Sequence, residues 1–91
     1  MENHLSPPFP NPSNPEATIT YSVPKGGPVN IAVYDVVGRL VRTLVNEEKS
    51  AGDHRTKWDG RDYSGNEVVS GVYFARLTFG RQAISRKLVF L

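Results

Sequence analysis

GVYFARLTFGRQAISRKLVFL, residues 71–91, is the stretch whose reading decides the fold. Its first half alternates. Tyr73, Ala75, Leu77 and Phe79 fall on one face and Phe74, Arg76 and Thr78 on the other, the period of two of a strand with one buried side. Gly80 and its neighbours read as a tight hairpin turn, because glycine takes the positive φ such a reversal needs. QAISRKLVFL is then the return strand. An apolar chain end normally has to dock, so Leu91 is expected at or close to the natural C-terminus of a parent protein.

The same grammar extends upstream. ATITYSV alternates, with Ile19, Tyr21 and Val23 on one face and Thr18, Thr20 and Ser22 on the other. PKGGP is a turn. VNIAVYDV is apolar on both faces and is expected in a central position. In RLVRTLVN the spacing of Leu40, Val41, Leu44 and Val45 fits a helical turn as well as a strand; the segment is short and uncapped, so it reads as a strand. DHRTKWD puts His54, Thr56 and Trp58 on one side and Asp53, Arg55 and Lys57 on the other. VVSG reads as a brief strand or bend. The sum is about seven antiparallel strands joined by short turns: an all-β sandwich of immunoglobulin or fibronectin III type. Trp58 is placed at the centre of the core, and Tyr73, early in a late strand, where such folds carry a tyrosine corner.

With 91 residues the chain is one domain's length. A domain of this size buries roughly 60–65% of the surface its unfolded chain exposes. That leaves little room for a deep pocket and argues against an enzyme. Cysteine is absent, which excludes disulfide scaffolds, thiolate metal sites and cysteine nucleophiles. MENHLSPP has no apolar centre and is not a signal peptide, and no apolar run approaches the roughly 20 residues that span a bilayer. An export signal for this domain would therefore lie on a longer parent chain. The formal charge is +2, and the cations are scattered rather than striped, which argues against nucleic acid.

PPFPNPSNP, residues 7–15, holds five of the seven prolines. Proline donates no backbone hydrogen bond and resists both helix and central strand. Residues 1–15 therefore read as a proline-rich linker or lead-in and residues 16–91 as the sandwich. Phe9 is the one residue of the run expected to pack on the domain.

Catalytic motifs are missing. No serine lies in a nucleophile elbow, there is no phosphate loop, and His4 and His54 stand without a second ligand at metal spacing. In residues 59–67, Asp59, Asp62 and Asn66 with Glu67 are hard oxygen ligands of the kind calcium takes. The spacing does not match an EF-hand and Arg61 interrupts it. Side-chain-to-backbone turns are the stronger reading, and no cofactor is expected. Tyr34, Phe74 and Tyr63 are the aromatics that a carbohydrate-binding face would use; packing in or at the edge of a sheet is the stronger reading.

Taken in order, FPNPSNPEATITYSVP, VNIAVYDVVGRLVRTLV, AGDHRTKWDGRDYSGNEVVSGVYFARL and RKLVFL resemble the type A C-terminal sorting domain of type IX secretion cargo. That family overlaps the Ig-like domain of flagellar hook-capping proteins. The resemblance runs from Phe9 to Leu91. It implies a seven-stranded sandwich at the end of a larger exported protein, recognised by outer-membrane secretion machinery and delivered to the cell surface or beyond. It carries Gly71 and Tyr73 (the SGVYF block), Arg86 and Lys87 (a basic pair near the end) and Pro10, Asn11 and Pro12 (the start) as recognition or fold determinants. The partners it implies are that machinery and a covalently linked upstream domain, with no stable membrane insertion. Exposed edge strands of a small sandwich also invite a homodimer. A structural spacer or adhesion module is the alternative.

Overall fold

The computed structural model describes residues 3–12 and 16–91. Seven strands follow in order: β1 (His4–Leu5), β2 (Ala17–Val23), β3 (Gly27–Tyr34), β4 (Leu40–Lys49), β5 (Gly52–Trp58), β6 (Gly71–Phe79) and β7 (Gln82–Phe90). They form two sheets of antiparallel neighbours, β1-β2-β5 and β4-β3-β6-β7. The chain is an all-β sandwich.

Alternation sets what faces inward. Ile19, Tyr21 and Val23 of β2 and Trp58 of β5 meet Ile31 and Val33 of β3, Ala75 and Leu77 of β6 and Leu88 of β7, all buried. β3 lies between β4 and β6, the central place its two-sided apolar sequence calls for. The β6–β7 hairpin turns on Gly80–Arg81, with φ +60° at Gly80 only, as type II′ turns have.

The helix-like spacing in β4 has a physical cause. Its register against β3 slips twice: Ile31 pairs with Val45 but Ala32 with Thr43, and Val33 pairs with Arg42 but Tyr34 with Leu40. Leu44 and Val41 are the extra residues of two bulges, and both pack partly buried against the core. Bulges turn side chains out of strict alternation, so an edge strand reproduces the apolar spacing of a helical turn.

The lead-in departs from a plain linker. Part of it is strand β1, paired with Ser22 and Tyr21, and Leu5 is fully buried in the core. VVSG, by contrast, takes the bend of its two readings: Val68 and Val69 are in no strand, Ser70 bends and Gly71 opens β6, so the count of seven stands with a different member. Phe9 forms a two-way backbone bridge with Thr18 while the residue stays 75% exposed, so, contrary to expectation, it does not pack on the domain. The lead-in residues that are buried are Asn3, Leu5 and Pro8. The sandwich therefore begins upstream of the 15/16 boundary.

Candidate functional site

Proline content and backbone pairing together make the lead-in a strap. Ser6 N–H donates to Thr20 O, and the N–H groups of Phe9 and Thr18 donate to each other's carbonyls. On its other side the strap meets β7. Asn3 Nδ2 donates to Gln82 Oε1, Arg86 Nε donates to Leu5 O at 2.7 Å, and Val89 N donates to Asn11 Oδ1 at 2.9 Å. The strap thus closes the seam between the two sheets along the length of β7. Pro10 and Pro12 flank Asn11 and are exposed.

Arg86 and Lys87 are separated by the same alternation. Arg86 stands opposite Ala75 of the buried face and binds the strap; Lys87 stands opposite Phe74 on the outer face and is exposed. They form no joint basic patch.

Gly71, Tyr73 and Trp58 come together at the pole where β3, β5 and β7 end and β6 begins. Tyr73 Oη donates to Val69 O at 2.6 Å, the tyrosine-corner bond. Burial, with the Asp35 charge adding to it, raises the Tyr73 phenol above its ordinary pKa. The Trp58 ring meets Tyr73 edge-on at 5.3 Å and Phe90 at 5.0 Å, and its Nε1 donates to Arg61 O at 3.0 Å. Gly60, φ +77°, lies under this cluster; a Cβ there would sit 2.1 Å from Phe90 Cζ.

In the loop after Trp58 the acidic groups serve the backbone. Asp59 Oδ1 accepts from Arg61 N, and Asp62 Oδ1 accepts from Ser64 N and Asn66 N. Asn66 contributes its carbonyl to Asp62 N, and Arg61 bonds Gly65 O and lies 3.7 Å from Glu67. Among the described residues no three His, Cys, Asp or Glu side chains converge as a metal group.

The β3–β4 loop is built the same way. Asp35 Oδ1 accepts from Val37 N at 3.0 Å and Arg39 N at 2.9 Å, while Oδ2 accepts from Arg39 Nε at 2.9 Å. Arg39's amide, then its guanidinium and Val37's amide, hold the Asp35 carboxyl below its usual range. Gly38, φ +85°, lets the loop close.

This loop holds Val36 and Val37 out in solvent. With Leu40, Tyr63 and Val69 they line a cleft of about 620 Å³ floored in part by Tyr73. Elsewhere among the described residues, only Phe9 and Leu91 are large apolar side chains with comparable exposure. The cleft is the candidate interaction site. DVVGRL reads in sequence as a connection turning on Gly38 and VVSG as a strand or bend, and Gly38 does carry positive φ; what the sequence does not flag is that Val36, Val37 and Val69 of these valine pairs stay exposed, where alternation stops. Of the three aromatics considered for sugars, Tyr34 and Phe74 are cross-strand partners on the outer sheet face, and Tyr63 lies apart in the cleft.

The FlgD Ig-like domain signature matches residues 13–81, well over half of the chain. The basal-body rod modification protein FlgD of Salmonella typhimurium is 37% identical over 65 residues, 68% of this chain and 28% of that protein. Dimeric latent PorU of Porphyromonas gingivalis superimposes with a TM-score of 0.76 at 22% identity, over 98% of this chain and 9% of PorU. PorZ of the same organism gives 0.64 at 22% identity, over 96% of this chain and 11% of PorZ. The chain therefore spans less than a third of each of these relatives, and the likeness to PorU and PorZ is one of fold. On the sequence match, the chain belongs to the FlgD Ig-like domain family.

Proposed function

We propose that this Ig-like module works without catalysis as the sorting domain of a larger exported protein, read by outer-membrane secretion machinery and carried to the cell surface. The observation that carries this reading is that nearly the whole chain superimposes on small segments of PorU and of PorZ, the latter an essential surface component of the type IX secretion system. The ordered sequence blocks and the rigid, strapped sandwich support it. The test is a fusion of residues 1–91 to a periplasmic reporter in a host with that system. Surface delivery of the intact fusion, lost on removal of residues 86–91, is the expected result; delivery of the truncated fusion would sink the reading. Charge reversal is informative at Lys87 only, since Arg86 holds the strap.

The match to FlgD favours a second reading, a module of a larger extracellular assembly. It predicts that the domain stays attached. Intact-mass measurement of the mature surface protein separates the two.

A further inference from the structure

The pole cleft is continuous with the outer face of the β4-β3-β6-β7 sheet. Leu40, Tyr34, Phe74 and Lys87 form one cross-strand row of that face, and Thr43, Ala32, Arg76 and Ser85 form the next. Leu40 belongs to both the row and the cleft. No carboxylate lies in either row. Arg76 and Lys87 are exposed, and among the described residues neither makes an ion pair.

We propose that this surface docks a protein partner through an apolar side chain carried between acidic residues. Three observations on this surface converge on that occupant. The exposed apolar groups surround a concavity, which takes a knob; a lipid surface would call for projecting apolar tips. The cleft's own carboxylates, Asp35 and Asp62, are engaged by Arg39 and by loop amides, while Arg76 and Lys87 on the adjoining sheet face have no carboxylate partner among the described residues, so an acidic flank reaching onto that face completes them. The loop that presents Val36 and Val37 is clamped by the Asp35 carboxylate on two amides and a guanidinium, so little ordering cost remains when a partner binds. The inference holds for either functional reading, since both need a protein partner, and it is tested separately from delivery.

The test is an NMR titration of ¹⁵N-labelled residues 1–91 with two hexapeptides, Asp-Asp-Leu-Phe-Asp-Asp and Lys-Lys-Leu-Phe-Lys-Lys. The acidic peptide should shift, saturably, the amides of residues 36–40, 63, 69 and 74–76. The basic peptide should bind about tenfold more weakly, the sum expected of two modest surface charge pairs turned from attraction to repulsion. Val37→Asp should abolish the shifts, and Arg76→Glu with Lys87→Glu should invert the peptide preference, each with an unchanged melting temperature. Four results overturn the proposal: no shifts with the acidic peptide, equal binding of both peptides, the same amides shifting only with phosphatidylglycerol vesicles, or the same amides shifting with protein concentration alone.

Discussion

Gly60 is the residue on which the pole turns. Its positive φ and the Phe90 ring against it leave no room for a methyl group. Gly60→Ala should cost about 3 kcal/mol, combining overpacking with left-handed backbone strain, read as the shift in urea midpoint. Tyr73→Phe removes only the bond to Val69 O and should cost about 1 kcal/mol. Asp35 gives the pH signature. Its carboxyl is held low in the folded state, so its contribution is present above the ordinary carboxylate pKa of about 4 and is lost as pH falls through the lowered native value. Amide shifts of Val37 and Arg39 should report that loss on acidification, and Asp35→Asn should remove the transition. At this scale Trp58 and Tyr73 were legible because large aromatics in alternating strands have one place to go. The cleft valines were not: a turn that spends its polar groups on its own backbone leaves apolar neighbours exposed, and composition alone does not show that.

Among the elements, the strap carries the clearest reversal. Proline argues correctly against a central strand, and β1 with the Phe9 bridge is accordingly an edge. What the sequence hides is that a two-residue strand is enough to bury Leu5. Leu5→Ala should cost 2–5 kcal/mol, the range of buried leucine truncations. Phe9→Ala should change stability by less than about 0.5 kcal/mol, as exposed substitutions do. Thermal melts of the two variants check both. The hairpin of β6 and β7 was legible to within one residue, Leu91 falling just outside β7, because its alternation is unbroken. β4 was ambiguous because its two bulges disturb the period by which strands are recognised.

For the whole molecule, the pairing of β2 with β5 and of β3 with β6 joins segments far apart in sequence. Such non-local topologies fold on the millisecond-to-second scale. Stopped-flow fluorescence of Trp58, the one tryptophan, should show it. The strap also fixes how the module bears load. Asn3 reaches Gln82 beside the hairpin turn, whereas Leu91 follows Phe90 at the opposite pole. Antiparallel hydrogen bonds lie across the strand direction. A tug from a tethered neighbour along the strap would therefore strain its bonds to Thr18 and Thr20 together, in shear, with Arg86 and Asn11 as side anchors. In the sorting-domain reading, the segment that would join this module to an upstream domain is thus its mechanical grip.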